Sequence, residues 1–347
     1  MTTANLGSGV AELEGLLSEL SAAGLAERNG ALRPLKPPRV YRLELVPGEF
    51  SVVVKRLDSA VAQRARLVAE RWLPALGLAD GCARLLGVAA EARGDVVWHV
   101  YEDLGDDTVA ARPEPDRVAA AVDLVARLHT QAAGHAVLPD VRRFCTDLGI
   151  GYFTANLRDA IAGLEALQAS SVEAPPAHAD VGRRLLTRLR ALLADVDRRA
   201  AVFARAGGPE TLVHGDLWTT NAFVLATPGG PPPSLRACLV DWDRVGVGPF
   251  AYDLSTLLFR FPVVERARVL DAYRRAVARA GWSLPPLPEL NLLCETAELA
   301  RYANRVIWPA LALVRENAAW GFPELAEVER WFEALDDGRN DLQRLLC

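Results

Sequence analysis

The sequence predicts an α+β protein with two lobes, a small β-rich N-terminal lobe and a larger, mainly helical C-terminal lobe. Three observations support this class: strand-like runs cluster before residue 102, helix-period runs fill most of the chain after residue 115, and no internal repeat is visible. The 347 residues, 51% of them hydrophobic, are enough to bury the cores of two lobes. We expect an N-terminal lobe over 1–101, a hinge over 102–106 and a C-terminal lobe over 107–347.

The N-terminal lobe is predicted to combine one amphipathic helix with an antiparallel sheet. Leucines at helical spacing mark the first helix, and β-branched residues mark the strands. A break over 30–38 separates this helix from the first strand, and Pro47-Gly48-Glu49 is the turn signal of a hairpin. The predicted elements are a helix over 10–25, strands over 40–46, 50–57 and 96–101, and a helix over 58–76 that Asp58 or Ser59 can cap.

The C-terminal lobe is predicted to be helical except for one hairpin. Helical patterns run over 116–132, 153–168 and 180–204, and they resume after the hairpin. Two short strands over 222–226 and 237–240 flank a Gly/Pro-rich turn at 227–234. Because a hairpin returns the chain beside its start, the residues before 222 and after 240 should lie together.

Composition excludes several classes of protein. The net charge of -5 argues against nucleic-acid binding, which needs a basic surface. The five cysteines are scattered without a CxxC pair, so neither a zinc site nor a disulfide framework is expected. Residues 1–5 lack the basic start of a signal peptide, and the apolar stretches are too short to span a bilayer. We expect a cytoplasmic monomer or homodimer that binds neither nucleic acid nor a membrane.

The segment His214-Gly215-Asp216-Leu217-Trp218-Thr219-Thr220-Asn221 is the most informative part of the sequence. Phosphoryl transfer needs a carboxylate near the attacking hydroxyl, and acidic or amide oxygens that hold Mg²⁺. Asp216 and Asn221 can present both groups to one phosphate, and Asp241 follows the second strand of the hairpin. A polar loop whose Asp and Asn form turns is the alternative for any one of these residues, but the ordered set favours chemistry.

This set of residues resembles the aminoglycoside phosphotransferase-like kinases, which share the protein-kinase fold and include choline, homoserine, fructosamine and methylthioribose kinases. The family motif His-Gly-Asp-x-x-x-x-Asn matches residues 214–221, and the resemblance is strongest over 213–258. It implies that Asp216 is the catalytic base and that Asn221 and Asp241 hold Mg²⁺. It also implies supporting roles for three further residues, namely His214 in the loop, Asp243 after the magnesium aspartate, and Asp253 as the buried brace of the catalytic loop.

The scarcity of lysine indicates a nucleotide site in the N-terminal lobe. Only two of the 39 basic residues are lysines, Lys36 and Lys55, so a retained lysine can mark a place where the broad fork of arginine does not serve. Kinase-like enzymes pair a strand lysine with a helix glutamate and aim the ammonium at the phosphates, and Lys55 with Glu70 fits that pattern. The alternative is a surface Lys55 and a Glu70 paired with Arg66 or Arg71.

Two further segments bear on nucleotide binding. Glu102-Asp103-Leu104 resembles the hinge that holds adenine, with the backbone groups of Glu102 or Leu104 as partners, and an ordinary linker is compatible with that reading. A glycine-rich phosphate loop is expected before Val40, but Lys36-Pro37-Pro38-Arg39 stands there. The two prolines remove two backbone donors, and Lys36 and Arg39 can supply charge instead.

The acceptor pocket is predicted among the helices after Asp253. Glu295 and Glu298 would suit a cationic amine or an aminoglycoside, and the rings of Tyr302 and Trp308 would suit a quaternary ammonium through cation–π contact. Tryptophan at helical spacing is more often core, and a helix glutamate more often faces water. The fold and the resemblance do not name the acceptor.

Together these features predict an ATP- and Mg²⁺-dependent phosphotransferase that moves the γ-phosphate to a hydroxyl of a small molecule, such as an aminoglycoside-like, amino-alcohol or sugar acceptor. The alternative from another class is a non-catalytic nucleotide-binding pseudokinase or scaffold, which the missing glycine-rich loop favours. A protein kinase is disfavoured because neither an activation segment nor Ala-Pro-Glu follows Asp241.

Overall fold

The structure is a computed structural model that describes residues 10–22, 32–36, 38–46, 50–227 and 234–345. Several predicted features lie outside these residues: the N-terminal segment 1–5, the end of the first helix at 23–25, Pro37, the turn at 47–49 and the hairpin tip at 228–233. Within the described ranges, no helix combines the length and the apolar character needed to cross a membrane.

Contacts between residues divide the chain into two units. The first comprises Met1–Gln131 and Thr219–Val245, and the second comprises Ala132–Trp218 and Gly246–Cys347. These bounds differ from those of the predicted lobes, because residues 107–131 and the hairpin at 222–239 belong to the first unit by their contacts. The lobes over 1–101 and 107–347 were defined by type of secondary structure, and they stay a prediction.

The first unit is built on a five-stranded antiparallel sheet with the order β1-β2-β3-β5-β4. Its strands are β1 (Leu32–Lys36), β2 (Val40–Val46), β3 (Phe50–Asp58), β4 (Leu85–Ala90) and β5 (Val96–Glu102). Along β3, Val52 and Val54 are buried against the first helix, α1 (Val10–Ala22), and Val53 and Lys55 line a cavity. Because successive side chains of a strand point to opposite faces, the apolar face of the sheet binds α1 and the other face is available for a ligand.

Two strands of this sheet were not predicted. β1 occupies part of the expected break, and it tolerates Pro34 because it is an edge strand that pairs only with β2. β4 contains glycine and alanines, which have low β-propensity. Packing favours the glycine, since a Cβ at Gly87 would stand 2.7 Å from Cδ1 of Leu16 in α1 and that side chain would have to move.

The rest of the first unit matches the predicted pattern with small changes. The helix expected over 58–76 is α2 (Ser59–Leu67), one π-helical turn (Val68–Trp72) and α3 (Leu73–Ala75). The hairpin strands are β8 (Ala222–Thr227) and β9 (Ser234–Leu239), paired in antiparallel register. The long helix α4 (Pro115–Ala132) ends at the boundary with the second unit.

The second unit is mainly helical. Its helices are α5 (Leu138–Phe144), α6 (Ile150–Ala169), α7 (Val181–Ala194), α8 (Val196–Ala206), α9 (Ala251–Phe259), α10 (Val263–Arg279), α11 (Leu287–Glu316) and α12 (Gly321–Leu345). The apolar core of this unit lies among α6, α7, α11 and α12, with Phe153, Leu185, Leu313 and Phe332 almost fully buried. The single helix expected over 180–204 is two helices, because the chain leaves helical geometry at Asp195.

A small sheet completes the second unit. β10 (Gly246–Pro249) lies between β6 (Thr146–Asp147) and β7 (Glu210–Val213). β7 ends directly before His214, and β10 leads into α9, which contains Asp253. The mixed composition of the chain, with an N-terminal sheet and a mostly helical C-terminal part, confirms the predicted α+β class.

Candidate active site

The first unit contains a cavity of about 390 Å³, formed by the free face of the sheet, the segment after β5 and the start and end of the β8–β9 hairpin. This size is within the range of small-molecule sites. Its polar lining includes Lys36, Arg42, Lys55, Asn221, Asp241 and Asp243, and its apolar lining includes Val40, Val53, Ala83, Leu104, Phe223 and Leu239.

Lys55 lies near the end of β3 with its side chain only 14% exposed, and its ammonium contacts two carboxylates. Nζ donates to Oδ1 of Asp241, and it lies 2.7 Å from Oδ1 of Asp243. Burial lowers the pKa of Lys55, but the two carboxylates outweigh burial, so the pKa is raised overall. Burial raises the pKa of Asp243 above its ordinary value, while the charge of Lys55 opposes that rise. Lys55 is therefore held as a cation within the cavity.

Glu70 does not pair with Lys55 in the structure. It lies in the π-helical turn, with its side chain 49% exposed, and Oε2 accepts a hydrogen bond of 2.7 Å from Nε of Arg66. The ammonium of Lys55 is instead taken by the two aspartates that follow β9. The structure therefore shows the alternative prediction, in which Glu70 pairs with Arg66. This arginine lies one helical turn away and is the nearer cation.

The base of the hairpin brings Asn221 and Asp241 to the same cavity. The backbone N–H of Val240 donates to the carbonyl of Asn221 at 2.9 Å, directly beyond the first pair of the ladder. Asp241 has φ 67° and ψ 54°, a left-handed conformation in which aspartate is more common than most residues. The buried indole of Trp242 donates to the carbonyl of Leu239 at 3.0 Å and fixes this turn.

The donors in this cavity fit Mg²⁺. The carboxylate of Asp241 already faces cations, since Lys55 contacts Oδ1 and Nζ of Lys36 lies 3.8 Å from Oδ2, and Asn221 adds an amide oxygen. Among the residues that the structure describes, no group of three or more His, Cys, Asp or Glu side chains could hold a metal alone. Mg²⁺ is commonly held by one or two carboxylates and completes its shell with water and substrate phosphates.

The last residue of β5 and the segment after it are fixed by polar contacts. The backbone N–H of Glu102 donates to the carbonyl of Arg84 at 3.0 Å. The carboxylate of Glu102 accepts the backbone N–H of Arg84 at 2.9 Å. Leu104 is almost buried and lines the cavity. Within the described part of the chain, its backbone N–H donates to no other group. Of the two predicted hinge residues, Leu104 therefore has the available donor.

An ion pair between Arg42 and Asp103 holds this segment beside the sheet. Nε of Arg42 lies 2.6 Å from Oδ2 of Asp103, and both side chains are nearly buried. Oδ1 of Asp103 also accepts the backbone N–H of Gly105 at 2.9 Å. Gly105 has φ 74°, which favours glycine. This pair could not be predicted, because nothing in one sequence links a charge on β2 to a charge 61 residues away.

The catalytic-loop candidates His214 and Asp216 belong to the second unit, and the boundary between the units falls inside the loop, after Trp218. Asp253 is fully buried in α9, and its carboxylate accepts the backbone N–H groups of His214 and Gly215 at 2.6 and 2.8 Å. Gly215 has φ 81°, a conformation that favours glycine. These bonds fix the backbone directly before Asp216.

The side chain of Asp216 is partly exposed and has a donor within its own loop. The indole Nε1 of Trp218 donates to Oδ1 of Asp216 at 2.7 Å. The backbone N–H of Asp216 donates to Nδ1 of His214 at 3.3 Å, so the buried imidazole also supports the turn. This contact of Trp218 was not predicted, although its position two residues after the candidate base was the available signal.

Glu295 and Glu298, two of the predicted acceptor residues, are buried inside the second unit. Oε1 of Glu295 accepts from Nη2 of Arg199 at 2.6 Å. Oε1 of Glu298 accepts from Nη1 of Arg301 at 2.6 Å and from the hydroxyl of Ser255 at 3.1 Å. Glu295 is thus paired with an arginine of α8 and Glu298 with an arginine three residues on in α11, and a role of either carboxylate in acceptor binding stays a prediction.

Tyr302 and Trp308, the two predicted aromatic residues, differ in exposure. Tyr302 is nearly buried in the helical core and packs against Phe332 at 5.4 Å between ring centroids, and its role in acceptor binding stays a prediction. Trp308 is 64% exposed on α11. Of the four predicted acceptor residues, only Trp308 is open to solvent.

The chain is similar to a family of known proteins and to several solved structures. Residues 37–290 match the sequence model of the phosphotransferase enzyme family. A choline/ethanolamine kinase family protein from Mesorhizobium loti has 17% identity and a TM-score of 0.54, covering 96% of this chain and 99% of that one. A spectinomycin phosphotransferase, in complex with ADP and spectinomycin, has 10% identity and a TM-score of 0.56 over 93% of this chain and 98% of that one.

A third structure, the GDP complex of a mutant aminoglycoside 2′-phosphotransferase, has 15% identity and a TM-score of 0.59, covering 95% of this chain and 99% of that one. No curated protein sequence is similar enough to this chain to count as a match. The family match extends over well more than half of the sequence, so the chain belongs to the phosphotransferase enzyme family. Its fold is the protein-kinase-like fold of aminoglycoside phosphotransferases and choline kinases, as the sequence predicted.

Proposed function

We propose that this protein transfers the γ-phosphate of ATP to a hydroxyl group of a small molecule, with Mg²⁺ as cofactor and Asp216 as catalytic base. The observation that supports this proposal most strongly is the cavity of the first unit, where Lys55, Asn221 and Asp241 share one site. Family membership supports the reaction class. The cavity supports the nucleotide, because it joins apolar walls suited to a base with charges suited to phosphates.

Nucleotide binding would use three parts of this cavity. The backbone N–H of Leu104 would donate to the adenine ring, which would lie against apolar side chains such as Val53. The ammonium of Lys55 would bind phosphate oxygens, held by Asp243. Lys36 is 79% exposed at the cavity and can add charge where a glycine-rich loop would supply backbone donors. Asp243, in place of Glu70, would thus orient the ammonium of Lys55 toward the phosphates.

Asn221 and Asp241 would hold Mg²⁺, which neutralises charge on the transferring phosphate when bound. Asp216 would accept the proton of the attacking hydroxyl late in the reaction, and Asp253 would keep the loop in shape through its two backbone hydrogen bonds. The protein need not form covalent bonds with the substrates, because phosphoryl transfer depends mainly on positioning the substrates and on stabilising charge. His214 supports the loop and would not touch the substrate.

An acceptor panel with ADP release as the readout tests the proposal. The panel contains aminoglycosides, choline, homoserine and neutral sugars, so that cationic and neutral acceptors are both represented. We expect at least one acceptor to increase ADP release in the wild type and not in Lys55→Met. If ATP–Mg²⁺ raises the Tm but no acceptor stimulates ADP release, the chain is a nucleotide-binding pseudokinase instead.

A further inference from the structure

The second unit contains a chain of contacts that leads from a buried glutamate to the carboxylate of Asp216. It begins at Glu298, passes through the guanidinium of Arg260 and the indole of Trp218, and ends at Oδ1 of Asp216. We propose that Trp218 and Arg260 are positioning residues for Asp216: the indole N–H orients the carboxylate, and the guanidinium fixes the indole. This inference rests on the proposed role of Asp216 as catalytic base.

The first link is the hydrogen bond from Nε1 of Trp218 to Oδ1 of Asp216, at 2.7 Å. An aspartate side chain turns freely about its Cβ–Cγ bond, so a donor on one oxygen selects one orientation of the carboxylate plane. The donor belongs to a tight turn, since the backbone N–H of Trp218 donates to the carbonyl of Asp216 at 2.9 Å. Of the aromatic side chains with a broad apolar ring, only tryptophan carries an N–H that can donate in this way.

The second link is the stacking of Arg260 on Trp218. The guanidinium carbon lies 3.7 Å from the centroid of the indole ring, well within the range of a cation–π contact. Nη2 of Arg260 lies 3.9 Å from Oε2 of Glu298, a residue with no exposed surface. Oε1 of Glu298 is bound to Arg301, so the glutamate itself is fixed. The guanidinium of Arg260 therefore contacts both the indole ring and a buried carboxylate.

Both anchors of the loop come from the two ends of α9. Asp253, near the start of the helix, binds the backbone before Asp216. Arg260 caps the end of the same helix, where its N–H donates to the carbonyl of Leu257, and it stacks on the side chain after Asp216. Because one short helix holds the loop on both sides of the candidate base, a change at Arg260 should reach the carboxylate through the indole and leave the rest of the loop in place.

The test compares Trp218→Phe and Arg260→Gln with two matched controls. Trp331→Phe removes an indole N–H that donates to Oε1 of Glu327 at 2.8 Å, and Arg266→Gln removes a guanidinium 4.9 Å from the centroid of the Phe259 ring. Each control loses an indole hydrogen bond or a cation–π contact elsewhere in the second unit, and Arg266→Gln also loses the hydrogen bond from Nε to the carbonyl of Phe261 at 3.0 Å. The wild type, these four variants and the double variant Trp218→Phe/Arg260→Gln are assayed for kcat and for the KM of ATP, with the acceptor that the panel identifies, after their Tm values are measured.

We expect Trp218→Phe to lower kcat by about tenfold or more, because hydrogen bonds to charged groups are among the stronger ones, and to leave the KM of ATP within about twofold. Arg260→Gln should lower kcat by a smaller factor. The double variant should equal Trp218→Phe, because Arg260 acts only through the indole N–H. Both controls should keep kcat within about twofold.

A direct readout of the hydrogen bond is the ¹H–¹⁵N resonance of the Trp218 indole, assigned by its loss in Trp218→Phe. It should move upfield in Asp216→Asn, because the charged acceptor is gone, while the Trp331 resonance stays in place. A resonance that does not move, or a Trp218→Phe kcat equal to that of Trp331→Phe, would overturn the inference and leave the proposed function intact. If Trp218→Phe does not fold, an Arg260→Gln kcat equal to that of Arg266→Gln overturns it. A wild type that phosphorylates no acceptor refutes the proposed function and this inference with it.

Discussion

The partner of Lys55 gives the sharpest test of the nucleotide site. The structure pairs its ammonium with Asp243 at 2.7 Å and leaves Glu70 with Arg66 on the helix surface. The side chains of Lys55 and Asp243 are 14% and 31% exposed, whereas those of Arg66 and Glu70 are 56% and 49% exposed. Asp243→Asn therefore removes a partly buried charge that orients the ammonium, and Glu70→Gln removes an exposed one that does not.

The two substitutions should change the Kd of ATP–Mg²⁺ by clearly different factors. A hydrogen bond to a charged group contributes about 1.5–3 kcal/mol, and an exposed ion pair one helical turn apart contributes about 0.3–0.5 kcal/mol. Because about 1.4 kcal/mol corresponds to a tenfold change, Asp243→Asn should raise the Kd of ATP–Mg²⁺ about tenfold or more. Glu70→Gln should raise it less than about 2.5-fold. Isothermal titration calorimetry measures both values, and the Tm of each variant controls for folding.

The opposite order of effects would refute this account of Lys55. If Glu70→Gln weakened ATP–Mg²⁺ binding more than Asp243→Asn, the nucleotide-bound protein would use the helix glutamate, as the resemblance to other kinases implied. Equal and small effects would show that neither carboxylate orients the ammonium.

Three further changes test other parts of the structure. Arg199→Leu leaves Glu295 without its buried guanidinium, and breaking a buried pair from one side costs about 3–5 kcal/mol, so the free energy of unfolding in urea should fall by that amount. Asp253→Ala leaves two backbone N–H groups of the loop without their acceptor, at about 1–3 kcal/mol each; the Tm should fall and ADP release should be lost. Burial lowers the pKa of His99 from 6.5 to about 4, and the nearby charge of Lys55 adds to this. Between pH 6.5 and about 4, His99 is therefore protonated in the unfolded chain and neutral in the folded chain. The free energy of unfolding falls as pH drops through that window, by at most about 3 kcal/mol. His99→Gln should lose less stability than the wild type from pH 6.5 to pH 4 in urea unfolding. An unchanged transition in the first two variants, or equal losses with pH in the third, would contradict the structure.

The local geometry of the nucleotide site could be predicted where it depends on near neighbours in sequence. The β-branched run that ends near Lys55 forms β3, and the hairpin brings Asn221 and Asp241 to one cavity, as the turn signal indicated. The partner of Lys55 could not be predicted, because the two aspartates that follow β9 compete with Glu70 and only the folded chain shows which is closer. Edge strand β1 was missed because its proline is a break signal in every other setting.

The partners of the predicted acceptor residues could not be predicted from a single sequence. Helical spacing placed Glu295 and Glu298 on α11, and the structure confirms that helix. Whether a helix carboxylate faces a ligand or a buried arginine depends on other helices, here through Arg199 of α8, which no local pattern reports. The same reason hid Arg260 and Trp218, whose contact joins α9 to the catalytic loop.

Transfer of γ-³²P from ATP to an acceptor by Asp216→Asn, with the Kd of ATP–Mg²⁺ measured on the same preparation, tests the central claim most directly. The variant keeps the size of the side chain and removes its capacity to accept the hydroxyl proton. We expect label transfer to fall by at least about a hundredfold while the Kd stays within about twofold of the wild-type value. Label transfer at the wild-type rate would contradict the assignment of Asp216 as the catalytic base.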